Sequence, residues 1–231
     1  MPNTRSIFNS VAENYDLLNT IFSLGRDKRW RERLAKEIEG TDYVLDIATG
    51  TGEVLIEILK NNNQRNAIGL DPSAQMLVLG QKKINCIGLN KKINFIRAVG
   101  ESLPFRDDSF DAITIAFGIR NTVDPLKSLE EMNRVLKPTG KLGILEFAVP
   151  NNKIFGPIYM FYLKRVLPLV ASVFNKREEY QYLGDSISKF PDRDNFIGLL
   201  KEAGFLLEKS IELMIGTVII YIGIKKNRAF S

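Results

Sequence analysis

Apolar and polar positions fall in blocks whose period switches at regular intervals along the chain. Tyr43–Ala48 is a short apolar run that enters a glycine-rich turn. Val54, Leu55, Ile58 and Leu59 then recur at helical spacing, which predicts a strand followed by a helix over about Glu53–Lys60. Ala67–Leu70 predicts a second strand. Asp71-Pro72-Ser73 opens the next helix, with Ser73 as N-cap and Met76, Leu77 and Ile84 inward. A third strand is expected over Ile93–Arg97. The near-continuous apolar run Phe110–Phe117 predicts a fourth, of the kind buried on both faces. Asp124-Pro125 starts a helix with proline at its first position and Leu126, Leu129, Met132 and Leu136 inward. Lys137–Gly140 then turns the chain into a fifth strand, Leu142–Phe147. Strands alternating with helices at this spacing predict an α/β fold, a doubly wound and mostly parallel sheet.

The two ends differ from this middle. Residues 1–40 carry Val11, Tyr15, Leu18, Ile21 and Phe22 at helical spacing, and a second helix runs through Lys28–Leu34 and ends near Gly40. These precede the first strand and read as a helical cover. Residues 151–182 are rich in aromatics; a helix over Asp192–Ala203 stops at Gly204, and strands Phe205–Leu213 and Thr217–Ile224 form a hairpin around Ile215-Gly216. No repeat or linker interrupts the chain, so one domain, 1–231, is expected, with the cover at 1–40 and an aromatic-rich insertion at 151–191.

The glycine turn carries the first chemical signal. Strand, turn, helix and a second strand ending in an acid make one nucleoside-binding half of a doubly wound sheet. Glycine lets a ligand lie against bare backbone. Asp71, 21 positions after Gly50, is placed to accept hydrogen bonds from ribose hydroxyls. A dinucleotide fingerprint needs a third glycine where this chain has Leu55, and Asp46 before the turn would repel a pyrophosphate. An acid there suits a ligand with an ammonium or sulfonium group, such as S-adenosylmethionine.

Composition narrows the classes further. The 231 residues include 32 basic and 27 acidic ones, a net charge of +5, scattered without a block that would suggest nucleic acid as a partner. Mild positive charge is compatible with an anionic membrane surface. Histidine is absent, which removes the usual neutral-pH general base and the commonest metal ligand. Cys86 alone cannot form an intrachain disulfide or a cysteine zinc site, so no metal is expected. No signal-peptide core and no uncharged run of about 18 residues is present. A cytoplasmic location is therefore expected.

Several motifs in order resemble those of the ubiquinone/menaquinone biosynthesis C-methyltransferases, within the class I S-adenosylmethionine-dependent methyltransferases. Tyr15-Asp16-Leu17-Leu18-Asn19, with Ser23 and Trp30, resembles the N-terminal signature Y-D-x-x-N…S…W. Arg134–Gly140 with Glu146-Phe147 resembles R-V-L-K-P-G-G…E-F. Leu103-Pro104-Phe105, Phe117–Asn121, Tyr182-Leu183, Ser186-Ile187 and Phe190-Pro191 complete a match from about residue 5 to 225. The chain departs from the family pattern at Asp27 (for histidine), Thr139 (for glycine), Ala148 (for serine), Val99-Gly100 (for an acid or amide followed by alanine) and Ala116 (for serine).

The resemblance implies a seven-stranded sheet with an antiparallel last strand, S-adenosylmethionine as cofactor, and methyl transfer to a ring carbon of a polyprenylated quinol. The reduced ring is the nucleophile; the oxidised quinone is an electrophile and would not react. The acceptor is a naphthoquinol or a benzoquinol, the former preferred because no residue demands a ring methoxy contact. Ligands in such sheets sit beyond the carboxyl ends of the strands. Gly50, Thr51 and Gly52 are expected at the methionine part, Asp46 near its ammonium, Asp71 on the ribose, and Met76, Val99, Gly100 and Ala116 around the adenosine. Arg120 and Asn121 are expected at the reacting end, with Tyr15 and Asn19 reaching in from the cover. Arg120 would hold a phenolate without accepting a proton. The general base stays open between Asp16, Asp46, Tyr15 and a water held by Arg120 and Asn121, the water being preferred. More ordinary roles are a salt bridge to Asp124 or another surface acid for Arg120, buried pairing with a basic partner for Glu146, and core packing for Trp30. The aromatic insertion would either face the isoprenoid tail and the inner face of a membrane or simply pack the domain. A homodimer is a further expectation.

Overall fold

The computed structural model describes residues 23, 25–61, 66–172 and 177–226. Tyr15 and Asn19, and Asp16 with them, lie outside the described residues. Helix α1 (Asp27–Glu37) precedes β1 (Tyr43–Ile47), followed by α2 (Glu53–Asn61), β2 (Asn66–Leu70), α3 (Ala74–Cys86), β3 (Ile93–Ile96) and β4 (Phe110–Ala116). Then come a short 3₁₀ turn (Ile119–Asn121), α4 (Pro125–Val135) and β5 (Leu136–Phe147). The insertion holds α5 (Phe155–Phe161), a wide π turn (Tyr162–Val166), α6 (Leu167–Ser172) and α7 (Arg177–Lys189). The chain closes with α8 (Arg193–Glu202), β6 (Phe205–Leu213) and β7 (Val218–Lys225).

The strands form one sheet in the order β3-β2-β1-β4-β5-β7-β6. Neighbours from β3 to β5 pair in parallel, and β7 runs antiparallel between β5 and β6. The order reverses between β1 and β4, which opens a crevice beyond their carboxyl ends. Alternation along the strands sorts the core into two layers. Leu45, Ile47, Ile113, Ile115, Leu142 and Ile144 face α4 and α8, through Leu129, Met132, Phe196 and Leu200. Val44, Ala112 and Leu145 face α1, α2 and α3, through Trp30, Leu34, Ile38, Ile58 and Ile84. A smaller cluster of Leu163, Leu167, Ala171, Tyr180 and Ile187 holds the insertion together.

Local chemistry explains the element ends. Ser73 caps α3 by accepting from Met76 N–H at 3.2 Å, and Asp124 caps α4 by accepting from Lys127 N–H at 3.0 Å, with Pro125 at the first helical position. β1 and β4 each stop one residue short of the run expected from sequence. Ala48 (φ 51°) and Phe117 (φ 55°) take left-handed backbone, which leaves the strand region. β5 begins earlier than expected: Leu136 already pairs with Phe110, and the register then jumps so that Lys141 opposes Ala112. Pro138 and the left-handed Thr139 (φ 61°) form this bulge, so the expected turn lies inside the strand. In the insertion, Pro168 lacks the N–H that would bond back to Lys164, and the wide turn just before it accommodates the loss. Cys86 sits exposed at the end of α3.

Candidate active site

A cavity of about 250 Å³ opens at the carboxyl ends of β1, β2 and β4. The loop after β1 forms its floor. Gly50 (φ 54°) and Gly52 (φ 83°) both need left-handed backbone, and a Cβ at Gly50 would meet nothing within 4 Å. The Phe95 ring fills the space beneath: a Cβ at Gly52, Gly69 or Gly80 would approach it to 3.1, 2.6 or 2.9 Å. These contacts press β2, α3 and the turn together. A Cβ at Gly118 would lie 2.5 Å from that of Ala48, so the loops after β1 and β4 also touch. Left-handed alanine and phenylalanine cost on the order of 1–2 kcal/mol each, and here both line the cavity.

Asp71 joins two walls. One carboxylate oxygen accepts from Gly50 N–H at 2.9 Å and the other from Ser73 N–H at 2.8 Å, which ties the turn to the start of α3. Burial pushes its pKa up, against those two hydrogen bonds. Asp46 is buried on the α1 side of the sheet, opposite Thr114 in register. One of its oxygens accepts from Thr114 Oγ1 at 2.7 Å; its Oδ2, like the nearby Thr49 Oγ1, is buried without a hydrogen-bond partner among the described residues. Desolvation raises the Asp46 pKa to about 7, with a small further push from the Asp71 charge, although the Thr114 hydroxyl, the nearby Thr49 hydroxyl and, more weakly, the Arg31 charge oppose the shift. The folded chain therefore keeps a proton that the unfolded chain releases near pH 4. The stability this contributes is complete below about pH 4 and is lost as pH rises through about 7, at about 1.4 kcal/mol per pH unit between them. Urea unfolding of the ligand-free chain from pH 4.5 to 7.5 should show this decline, and Asp46→Asn should make it shallower, leaving the part that the raised Asp71 and Glu146 carboxyls contribute.

The far wall is the segment after β4. Asn121 is held at both ends of its amide: Nδ2 donates to Phe117 O at 3.2 Å, and Oδ1 accepts from Tyr182 Oη at 3.0 Å. Arg120 points away from the cavity. Its Nη1 donates to Glu146 Oε1 at 2.6 Å and to Phe117 O at 2.7 Å, its Nε donates to Ser186 Oγ at 3.3 Å, and the guanidinium stacks over Phe147. Glu146 is fully buried and also accepts from Phe147 N–H at 2.8 Å. The buried-pair reading of Glu146 thus holds. The ordinary reading of Arg120 is corrected: its partner is this buried acid rather than Asp124 or another surface acid, and Asp124 is occupied as a cap.

Of the residues expected from sequence, the structure brings Gly50, Thr51, Asp71, Met76, Val99, Gly100, Ala116 and Asn121 together around the cavity. Asp46, Gly52 and Arg120 are not in its lining. Gly52 shapes the turn by donating its N–H to Thr49 O at 2.9 Å, and Asp46 lies behind Ile47–Thr49. Sequence reasoning missed Arg31, Glu53, Glu101 and Phe117 as lining residues. Glu53 is paired with Lys83 on α3, and Glu101 accepts from Val123 N–H at 2.7 Å at the rim. Among the described lining side chains the charges are Glu53, Asp71 and Glu101 against Arg31. Such a cavity repels phosphates and admits a cation. The buried Asp46 carboxyl and Thr49 hydroxyl lie beside it with hydrogen-bonding capacity to spare. The residues present fit S-adenosylmethionine, with Asp71 for the ribose and the glycine turn for the methionine part.

A sheet of this order, a glycine turn after β1 and an acid after β2, with a phosphate-hostile cavity between, define a class I S-adenosylmethionine-dependent methyltransferase. Solved structures agree on the fold: the [4+2]-cyclase SpnF aligns with a TM-score of 0.74 over 97% of both chains at 15% identity. A SAM-dependent methyltransferase from Aquifex aeolicus aligns at 0.59, covering 84% of this chain and 88% of its own, at 21% identity. The chain belongs to the ubiE/COQ5 methyltransferase family, whose model matches residues 2–225. Relatives named ubiquinone/menaquinone biosynthesis C-methyltransferase UbiE are 43% identical over 224 residues in Geobacter sp. (strain M21) and 40% over 226 in Bdellovibrio bacteriovorus. Each alignment covers 96% of this chain and 95% of the relative.

Proposed function

We propose that the chain methylates a ring carbon of a polyprenylated quinol. The observation that carries this reading is family membership over nearly the whole chain, joined to a cavity whose free wall is the Phe117–Val123 segment. S-adenosylmethionine supplies an electrophilic methyl group. Asp71 and the glycine turn hold the donor, and Asp46 offers an oxygen to its ammonium. Asn121, locked between Phe117 and Tyr182, presents a fixed amide edge to the acceptor. Alignment of carbon, methyl and sulfur supplies much of the rate. Arg120 acts by shaping the Phe117–Asn121 turn through Glu146. Its charge lies behind the lining, where it favours a phenolate through space. Deleting the gene in its host tests the reading: a quinone lacking one ring methyl should accumulate, and its ring system identifies the acceptor. An unchanged quinone profile would refute it.

A lipophilic acceptor resides in a bilayer. No helix among the described residues is long and apolar enough to cross one. The insertion instead exposes Ile154, Ile158, Phe161 and Leu169 along α5 and α6, at 59–76% exposure. Residues 150–176 contain Lys153, Lys164, Arg165 and Lys176 and no acid. An apolar stripe flanked by bases suits the surface of an anionic membrane. Phe161→Ser/Leu169→Ser should lose sedimentation with phosphatidylglycerol vesicles while keeping its melting temperature. Undiminished vesicle binding would exclude this face.

A further inference from the structure

The loop between β3 and β4 carries one wall of the cavity without a helix or strand of its own. Val99, Gly100 and Glu101 line the cavity, and the chain folds back on itself there: Ser102 N–H donates to Val99 O at 3.3 Å. α4 lies behind this turn. A Cβ at Gly100 would come within 3.4 Å of Ser128 Oγ, and Leu103 N–H donates to Glu131 Oε2 at 2.8 Å. Arg134 continues the row, so Ser128, Glu131 and Arg134 meet the loop at steps of three along the helix. The Arg134 guanidinium has five N–H groups, and all five are used. Nε donates to Glu131 Oε1 at 2.7 Å, and Nη2 to Glu131 Oε2 at 2.8 Å and Leu103 O at 3.0 Å. Nη1 donates to Phe105 O at 2.8 Å and Asp107 Oδ1 at 2.9 Å. Three of these bonds cross to the loop, two of them to backbone carbonyls. A little further on, Asp108 N–H donates to Arg134 O at 3.1 Å.

We propose that Arg134 is a positioning residue for the donor: with Glu131 it fixes the Leu103–Asp107 segment, and through it the Val99–Ser102 turn that walls the cavity. The role rests on the donor assignment. Arg134 is not itself in the cavity lining, so it acts through the loop alone. An ordinary exposed ion pair would contribute little. This one differs because a planar fork grips a carboxylate and two backbone carbonyls at once, which a lysine ammonium cannot span. The same hydrogen bonds hold the Glu131 carboxyl below its ordinary pKa, so the pair stays charged at neutral pH. The Phe117–Asn121 turn has its own anchors in Glu146 and Tyr182. Loosening the loop should therefore weaken the hold on the donor and spare the reacting end.

Calorimetric titration of the full chain with S-adenosylhomocysteine tests this, at a temperature where every variant is folded. Arg134→Ala should bind about 10- to 30-fold more weakly than the wild-type chain, and Arg134→Lys nearly as weakly. Millimolar guanidinium chloride should restore most of the affinity of Arg134→Ala, because the planar cation can re-enter the partly exposed site; methylammonium chloride at the same concentration should not. In turnover the loss should fall on the KM for the donor, with kcat within about 2-fold of wild type. Glu131→Gln keeps one acceptor for Arg134 and loses the other. It should weaken binding by about 3-fold or more, and it carries the test if Arg134→Ala does not fold. Wild-type affinity in these variants overturns the positioning role, as does equal rescue by guanidinium and methylammonium. A wild-type chain that does not bind S-adenosylhomocysteine would refute the donor assignment and the positioning role with it, so the two failures give different results.

Discussion

Asp71→Ala is expected to weaken binding of S-adenosylmethionine by more than about 100-fold while the chain stays folded. Two effects add. The carboxylate joins Gly50 N–H to Ser73 N–H, so its loss frees the glycine turn from α3. It also removes the acceptor proposed for the ribose hydroxyls. A hydrogen bond to a charged group is worth about 1.5–3 kcal/mol, and two such losses suffice for the stated factor. Folding is less affected, because Phe95 still wedges β2, α3 and the turn together. Asp71→Asn separates the two effects: it keeps the shape but turns one acceptor into a donor facing an N–H, and binding should fall nearly as far. Calorimetry checks both variants, and a loss under about 5-fold for Asp71→Ala would contradict the assignment.

Glu146→Ala should be the most destabilising single change near the site. It leaves the Arg120 guanidinium buried without its carboxylate, and breaking such a pair typically costs about 3–5 kcal/mol, or roughly 6–20 °C in melting temperature at this size. It also removes an acceptor from Phe147 N–H and Arg120 N–H, so the Phe117–Asn121 turn should loosen. The reverse truncation, Arg120→Ala, should cost a similar amount. Replacing both, as Arg120→Met/Glu146→Leu, should recover most of the stability but not methyl transfer, since the apolar pair supplies no positive field behind Asn121. Thermal unfolding together with a single-turnover assay separates these outcomes. Recovery of both stability and rate would show that the pair is purely structural.

The sheet was legible because its signals are periodic and local. Short apolar runs, caps at Ser73 and Asp124, and glycine stops place most element ends within a residue or two. What escaped was non-local or depended on backbone conformation. Nothing in the composition of Ala48 or Phe117 announces left-handed backbone; the close packing of Gly118 on Ala48 imposes it. The bulge at Pro138-Thr139 follows from pairing with β4, which periodicity does not encode. At the site, the residues of the glycine turn and Asp71 were readable because they are joined by a short βαβ unit. Arg31 was not: it lies on a cover helix whose sequence reads as an ordinary charged face, and only the fold brings it over β1. Arg120 failed in the opposite direction. Its place just after β4 suggested the reacting end, but the buried Glu146, the penultimate residue of β5, draws the guanidinium behind the wall. Glu146, the one acid in the otherwise apolar run Leu142–Phe147, was the available clue.

On the proposed function, this cavity brings a sulfonium methyl to a carbon of a reduced quinone ring. Purified chain incubated with methyl-labelled S-adenosylmethionine and a short-tailed demethylnaphthoquinol or benzoquinol, each offered reduced and oxidised, tests it most directly. Label is expected on a ring carbon of a reduced acceptor, none on either oxidised quinone, and none with Asp71→Ala. Label on oxygen, or no transfer to either quinol by a chain that binds the donor, would contradict it.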